Sequence, residues 1–186
     1  MAIKFNLPTY LTLLRIALIP LLAIVFYLPW EYSRLACTAV FLFAGLTDWL
    51  DGYLARRLKL ETAFGAFLDP VADKLMVAFV LVLVVQAEGN AWLAIASAII
   101  IGREITIASL REWMAEIGQR AKVKVSQLGK WKTTAQMGAI SLLLYRDDLF
   151  GLPINEMGYW LLYLSAVLTL WSMINYLMAA FSTITE

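Results

Sequence analysis

Apolar residues occur along the chain in six long stretches separated by short polar turns. The stretches cover residues 7–29, 35–57, 65–86, 91–114, 131–146 and 158–181. A helix needs about 20 residues to cross a hydrocarbon core of about 30 Å, and each stretch reaches this length once the polar start of the fifth is included. The pattern therefore predicts an all-α integral membrane protein, with six transmembrane helices in a single domain over residues 1–186.

Lysine and arginine are distributed unevenly over the two sides that this topology defines. Of the 15 basic residues, all but Arg34 and Arg146 fall on the side of the N-terminus. Cytoplasmic loops carry the excess of basic residues, so both termini are expected in the cytoplasm. Because Arg15 interrupts the first stretch and further spans follow it, this stretch is interpreted as a retained membrane helix, not a signal peptide.

Polar residues within the stretches fall at the predicted cytoplasmic ends, whereas the outer halves are almost entirely apolar. Charges inside lipid are costly, and they normally line a cavity or pair with one another. The sequence therefore predicts a polar cavity that opens to the cytoplasm and reaches partway into the bilayer. Its candidate residues include Asn6, Thr9, Thr12, Arg15, Asp48, Asp51, Arg56, Asp69, Asp73, Arg103, Glu104, Arg111, Lys130 and Lys132.

The composition limits the chemistry that such a cavity can perform. The chain is 62% hydrophobic and has a formal net charge of +1, so no nucleic-acid partner is expected. It contains no histidine, which excludes histidine-based acid–base catalysis. The single Cys37 lies in an apolar stretch and is expected to be a buried free thiol. A metal site would have to use oxygen ligands, which favours Mg²⁺, Mn²⁺ or Ca²⁺.

Two pairs of aspartates form the chemical centre of the sequence. Asp48 and Asp51 are three residues apart and Asp69 and Asp73 four apart, so each pair shares one face of a helix. The short polar link 57–62 predicts that the second and third helices pack as an antiparallel hairpin, which would bring the two faces together. Four carboxylates at one site would repel each other without cations, and this predicts two divalent metal ions.

Small residues accompany the aspartates. Gly52 and Gly65 remove side chains beside the acids and allow a ligand or a helix to approach closely, and Ala55 keeps the same face narrow. The Arg56 guanidinium suits a diphosphate oxygen. The alternative is that the acids only form structural ion pairs with arginines, which explains any one aspartate better than two matched pairs.

The segment resembles the signature of the CDP-alcohol phosphotransferase family, D-x2-D-G-x2-A-R-x8-G-x3-D-x3-D, without a departure. The resemblance implies that the four aspartates bind two Mg²⁺ or Mn²⁺ ions that hold the diphosphate of a CDP-activated lipid. It also implies that Asp73 is the general base on the acceptor hydroxyl, and that the protein is a homodimer. The expected nucleotide pocket contains Gly52, Ala55, Arg56 and Gly65, with Asn6 and Thr9 at the cavity mouth.

Basic residues from the first, fourth and fifth helices are predicted to bind a phosphate group of the acceptor: Arg15, Arg103, Arg111, Lys130 and Lys132. The alternative for the loop region 111–132 is attraction to anionic lipid headgroups. The motifs I-G-R-E-I, L-R-E-W-M and G-K-W-K-T-T-A-Q resemble bacterial inner-membrane members that use sn-glycerol 3-phosphate. This resemblance implies CDP-diacylglycerol as donor, with phosphatidylglycerol phosphate and CMP as products. Serine and inositol phosphate remain open on charge alone.

A divalent-cation transporter is the alternative from another class, because carboxylates in membrane helices often mark ion paths. Transport needs polar residues along the whole route, or broken helices near the midplane. The apolar outer halves of the stretches do not match this requirement, so the pattern favours the enzyme.

Overall fold

A computed structural model describes residues 6–58, 62–118 and 127–184, and the regular structure within them is helical. The described residues form six helices, each at the position of one predicted stretch, which confirms the all-α fold class. Their bounds are α1 (Leu7–Tyr27), α2 (Ser33–Leu58), α3 (Ala63–Glu88), α4 (Ala91–Glu116), α5 (Gln127–Tyr145) and α6 (Ile154–Ile184).

The surface of the bundle is apolar. Among the described residues, four segments are long and apolar enough to cross a membrane: Leu7–Tyr27, Ser33–Ala55, Ala91–Glu116 and Ile154–Met178. Large apolar side chains point outward from several helices, for example Leu46, Val82, Ile105 and Val167. Such a surface would aggregate in water but is stable against lipid tails. The chain is therefore an integral membrane protein, and the crossing of the bilayer by α3 and α5 stays a prediction.

Local capping explains where several helices begin and end. The Asn6 side chain accepts a hydrogen bond from the amide of Thr9 (3.1 Å) at the start of α1, and the Thr62 hydroxyl accepts one from Gly65 at the start of α3. Both contacts satisfy amides that have no partner within their helix. Gly89 ends α3 at a φ of 59°, which a residue with a side chain rarely adopts.

The packing order of the helices corrects one prediction. Among the described residues, α1 packs against both α2 and α3, whereas no packing of comparable extent joins α2 directly to α3. The direct α2–α3 hairpin predicted from the short link is therefore wrong. The physical reason lies on α1, where Thr9, Thr12, Arg15, Leu18 and Leu22 form one buried stripe at helical spacing. This stripe occupies the space between the two aspartate-bearing helices.

Opposite ends of the bundle differ in character. At one end, the buried Glu88 carboxylate pairs with Arg146 Nε at 2.6 Å and accepts a hydrogen bond from the Tyr159 hydroxyl, while Arg34 pairs with Asp147. We call these five residues the closed end. Beneath it lies an apolar core whose fully buried members include Leu22, Phe41, Val80, Leu81, Val84, Leu93, Ile140, Leu143, Leu144 and Leu162. The two arginines assigned to one side by the sequence thus share one end of the structure.

Candidate active site

A cavity of about 200 Å³ lies at the end of the bundle opposite the closed end. Its walls come from the start of α1, the last turns of α2 and the start of α3. The structure therefore brings together residues that are separated by up to 63 positions in the sequence. The lining residues are Asn6, Pro8, Thr9, Thr12, Gly52, Ala55, Thr62, Gly65, Ala66 and Asp69.

Five of the six residues predicted for the nucleotide pocket line this cavity, namely Asn6, Thr9, Gly52, Ala55 and Gly65. The sixth is Arg56, whose side chain lies outside the described part of the chain. The nucleotide-binding role of these residues stays a prediction. What the structure adds is that the five residues surround one common space.

Gly65 shows why a glycine stands in the cavity wall. A Cβ atom at this position would lie 3.1 Å from the Thr62 hydroxyl oxygen and 3.6 Å from that of Thr9. The first distance is shorter than an ordinary contact, so a side chain would press on the hydroxyl that caps α3. The glycine thus keeps both the cap and the cavity wall intact.

One face of α1 contacts three of the four aspartates. Arg15 Nη2 donates to Asp51 Oδ2 at 2.6 Å, and Arg15 Nη1 lies 2.8 Å from Asp48 Oδ1. One turn earlier, the Thr12 hydroxyl donates to Asp69 Oδ1 at 2.7 Å. The aspartates of α2 and α3 therefore approach each other through α1, and not by direct packing of their own helices.

Asp73 completes the acidic group from the next turn of α3. Its side chain is exposed, unlike that of Asp51, of which only 1% is accessible. Asp73 lies within electrostatic range of Asp48, Arg15 and also Glu104 on α4. It is therefore the aspartate that connects the acidic group with the charged residues of the neighbouring helix.

The aspartates provide a suitable donor set for a hard divalent cation, although their side chains are not arranged around a common point. Within the described ranges, no three His, Cys, Asp or Glu side chains are grouped so that they could hold a metal ion. Asp51 Oδ1, however, is buried without a hydrogen-bond partner among the described atoms, and a positive charge already lies between Asp48 and Asp51. Carboxylate oxygens are the ligands that Mg²⁺ and Mn²⁺ prefer. The metal role of the four aspartates stays a prediction.

A second charged group forms where α4, α5 and α6 meet. Lys132 Nζ donates to Glu104 Oε1 at 2.6 Å, and Arg103 Nη1 donates to the same oxygen at 3.0 Å. Arg103 Nη2 also donates to the Ser172 hydroxyl at 3.3 Å. Two of the cations predicted to bind an acceptor phosphate thus meet at one carboxylate, and we call Arg103, Glu104 and Lys132 the basic cluster.

The other predicted acceptor residues lie elsewhere. Arg111 is exposed, donates to the Tyr176 hydroxyl at 3.2 Å and lies over its ring. It follows Arg103 by eight residues, or about 12 Å along a helix, so the two do not share one cluster. Arg15 contacts the aspartates, and the side chain of Lys130 lies outside the described residues. The predicted phosphate-binding role of these three residues is untested.

Two residues at this end of the molecule, Thr12 and Glu104, have more contacts than the sequence pattern predicted. Thr12 lies three residues before Arg15 and three after Thr9, a spacing that already indicates one helix face. Glu104 was considered only as a local partner of Arg103, although a charged residue in an apolar helix normally has a partner in space. The signal for Lys132 as that partner was absent, because the two are 28 positions apart.

The chain is similar to known proteins over most of its length. The family model of CDP-alcohol phosphatidyltransferases matches residues 5–171. A Haemophilus influenzae protein named CDP-diacylglycerol–glycerol-3-phosphate 3-phosphatidyltransferase is 54% identical over 177 residues, covering 95% of this chain and 94% of that protein. Proteins of the same name from Yersinia enterocolitica (53% over 183 residues, 98% and 99% covered) and Pectobacterium atrosepticum (54% over 177, 95% and 96%) are similarly close.

Proposed function

Because the chain belongs to the CDP-alcohol phosphatidyltransferase family, we propose that it transfers the phosphatidyl group of CDP-diacylglycerol to sn-glycerol 3-phosphate. The products are phosphatidylglycerol phosphate and CMP, which makes the protein an enzyme of phospholipid biosynthesis. The observation that carries the proposal is the cavity next to Asp69, with five predicted nucleotide-pocket residues in its walls. Relatives that are more than half identical over nearly the whole chain bear the name of this reaction.

The cavity suits the polar part of the donor. At about 200 Å³ it is smaller than the roughly 300–1,000 Å³ of most ligand pockets. We assign the nucleotide to this cavity on the basis of its polar lining, and the diacylglycerol part of the donor to the lipids around the bundle. The hydroxyls of Thr9, Thr12 and Thr62 and the amide side chain of Asn6 provide hydrogen-bonding groups around the nucleotide.

The diphosphate of the donor lies at the aspartates in this proposal. Asp48, Asp51, Asp69 and Asp73 would hold two Mg²⁺ or Mn²⁺ ions, for which their carboxylate oxygens are suited. When bound, such ions neutralise a diphosphate and stabilise the departing CMP. The protein's own contribution is the placement of the carboxylates, which α1 fixes through Thr12 and Arg15.

Asp73 is the proposed general base. Its exposed carboxylate faces neighbours from both charged groups, since Asp48 and Glu104 lie within electrostatic range. A carboxylate in this position can accept the proton of the acceptor hydroxyl as its oxygen attacks phosphorus. The oxygen–phosphorus bond to the acceptor forms, and the bond to the CMP oxygen breaks.

The acceptor phosphate binds to the basic cluster in this proposal. Arg103 and Lys132 carry two positive charges against the single negative charge of Glu104, so the cluster keeps an excess charge of +1 for an anion. A guanidinium and an ammonium that share one carboxylate are also already fixed in position. A cationic acceptor such as choline or ethanolamine would be repelled at the same place.

The setting of the reaction follows from the distribution of basic residues. We place the cavity and both termini on the cytoplasmic side of the bacterial inner membrane, with the closed end outside. Because the family resemblance implies a homodimer, the proposal includes one.

Release of CMP by the purified protein tests the proposed function. CDP-diacylglycerol with sn-glycerol 3-phosphate should give CMP in the presence of Mg²⁺ or Mn²⁺, and EDTA should stop the reaction. Serine and inositol phosphate serve as the comparison acceptors. A higher kcat/KM with serine than with sn-glycerol 3-phosphate would refute the proposed acceptor but not the transferase chemistry. If no acceptor supports CMP release, the transferase proposal is refuted.

A further inference from the structure

Arg15 combines deep burial with contacts to two acids. It is one of the largest fully buried side chains among the described residues, with 1% of its surface accessible. Its two terminal nitrogens contact different carboxylates, Asp48 at 2.8 Å and Asp51 at 2.6 Å. No reaction step proposed above uses this guanidinium, although it lies at the centre of the acidic group.

The charges of these residues depend on each other. A buried guanidinium without a partner is strongly unfavourable, and so is a buried carboxylate such as that of Asp51. Asp48 and Asp51 lie on the same helix face and repel each other unless a cation is present. In the protein without metal, Arg15 provides that cation from the neighbouring helix.

The contact is incomplete in its hydrogen bonding. Arg15 Nε and Asp51 Oδ1 are buried without hydrogen-bond partners in the described part of the chain, and Arg15 Nη1 forms an ion pair with Asp48 Oδ1 without the geometry of a hydrogen bond. The Asp48 side chain is 46% exposed, so one side of the pair is open to an incoming ion. The arrangement therefore neutralises charge without using all the hydrogen-bonding groups of its members.

We propose that Arg15 is a positioning residue that acts as the counter-ion of Asp48 and Asp51 in the metal-free protein and competes with the divalent cation for their oxygens. The inference rests on the metal role given to the aspartates under the proposed function. Arg15 contacts one oxygen of each carboxylate, and a divalent ion that approaches the same two carboxylates is repelled by the guanidinium and competes with it for their negative charge. The Arg15 contact therefore opposes ion binding.

The competition has a benefit for the protein. Without a counter-ion, burial of the Asp51 carboxylate against α1 would be unfavourable until a metal arrived. With Arg15 in place, the helices pack in advance and the carboxylates keep their relative positions. The cost is a weaker apparent affinity for the metal, since binding must displace an existing ion pair.

Direct Mn²⁺ binding to the full chain in detergent micelles tests this inference without turnover. Free Mn²⁺ is measured by electron paramagnetic resonance for the wild type, Arg15→Met and Arg15→Lys. We expect Arg15→Met to bind Mn²⁺ on the order of tenfold more tightly, because the competing charged hydrogen bond is removed. Arg15→Lys should fall between the two, since a single ammonium group cannot contact both carboxylates with the geometry of the guanidinium fork.

Thermal unfolding provides the second measurement. In EDTA, Arg15→Met should melt below the wild type, and saturating Mn²⁺ should raise its Tm by more than it raises that of the wild type. The matched control is Arg146→Met, which breaks the ion pair with Glu88 at the closed end. It should lower the Tm equally with and without Mn²⁺ and leave the Mn²⁺ affinity unchanged.

Several outcomes would overturn the inference. If a folded Arg15→Met protein binds Mn²⁺ as tightly as the wild type or more weakly, Arg15 has a purely structural role. If Arg15→Met does not fold, the Mn²⁺ affinity of Arg15→Lys relative to the wild type decides in the same way. A raised KM for sn-glycerol 3-phosphate with unchanged Mn²⁺ affinity would assign Arg15 to the acceptor site. A wild type that binds no Mn²⁺ would remove this inference and the metal role together. Tighter Mn²⁺ binding by Arg15→Met in a protein that releases no CMP would support the inference while refuting the transferase.

Discussion

Asp51 and Asp73 belong to the same acidic group but have different surroundings. Asp51 is buried and fixed by Arg15, whereas Asp73 is exposed and one turn further along α3 from Asp69. A buried carboxylate that is held in place suits a ligand, and an exposed one suits a group that must reach a substrate hydroxyl. Removing the charge of Asp51 and removing that of Asp73 should therefore impair different properties of the protein.

Asp73→Asn should abolish CMP release while CDP-diacylglycerol binding survives better than in Asp51→Asn. The amide cannot accept the proton of the acceptor, but it alters the donor site less than the loss of a buried ligand does. Isothermal titration with CDP in the presence of Mn²⁺, beside the CMP assay, measures both properties. Equal loss of CDP binding in the two variants would argue against a separate base.

Arg103→Ala should raise the KM for sn-glycerol 3-phosphate by tenfold or more, with little change in the KM for CDP-diacylglycerol. The magnitude follows from the loss of a hydrogen bond between charged groups, about 1.5–3 kcal/mol. Steady-state kinetics with each substrate varied separately gives the answer. Arg34→Ala, at the closed end, is the matched control and should leave both KM values unchanged. An effect of Arg103→Ala on the donor alone would place this residue outside the acceptor site.

At the level of the helices, α5 and α6 depend on close approach at Gly158. A Cβ atom there would lie 2.9 Å from Leu143 Cγ and 3.0 Å from Leu143 Cδ2. Such distances require the leucine or the helices to move. Two neighbouring transmembrane helices often use small residues at their contact in this way.

Gly158→Ala should lower the stability of the fold by about 1–3 kcal/mol, the usual cost of overpacking. The lowered Tm would be read in detergent by the fluorescence of a thiol-independent dye or by circular dichroism. Gly102→Ala is the matched control, because an added Cβ there meets nothing within 4 Å and alanine favours a helix. A Gly158→Ala protein as stable as Gly102→Ala would show that the α5–α6 contact has room to relax.

The sequence was informative about helices and less so about their neighbours. Apolar stretches are long enough to define all six elements, and turn residues such as Gly89 and Asn90 mark an end and a start that capping then explains. The position of α1 between α2 and α3 was not predictable from spacing. It depends on Arg15 and Thr12 meeting aspartates 36 and 57 positions away, and helical periodicity says nothing about contacts at such separations.

In the candidate site, too, local pairs of residues were predictable from the sequence and long-range contacts were not. Spacing alone placed Asp48 with Asp51 and Asp69 with Asp73, because three or four residues make one turn of helix. It did not indicate that Arg111 would turn toward Tyr176 and away from Arg103. Which partner a long basic side chain takes depends on the helix that packs beside it, and this is decided by the whole bundle.

On the scale of the whole molecule, the two ends have different polar groups, and the described residues between them form a buried core that is mainly apolar, here called the apolar layer. Leu22, Leu81 and Leu144 are fully buried between the closed end and the cavity. A cation that crossed the bundle along this axis would have to leave its ligands inside that layer. The described part of the chain therefore fits an enzyme with one open side better than a transporter.

The proposed orientation can be measured with the chain's single cysteine replaced. In a Cys37→Ser background, Asp147→Cys should react with an impermeant maleimide on intact cells, because Asp147 is exposed at the closed end. Glu116→Cys, at the exposed end of α4, should react only after the cells are permeabilised. The reverse pattern of labelling would place the cavity on the outer side.

Because the cavity opens at one end of the bundle only, the reaction also affects the lipid content of one leaflet. Donor and product both keep their diacylglycerol part in the leaflet beside the cavity, since the apolar layer blocks passage of a headgroup. Each turnover therefore removes one lipid from that leaflet and returns one to it. The leaflet changes its surface charge but not its number of lipid molecules, so synthesis creates no difference in lipid number between the two leaflets. Growth of the bilayer has to come from whatever supplies new acyl chains.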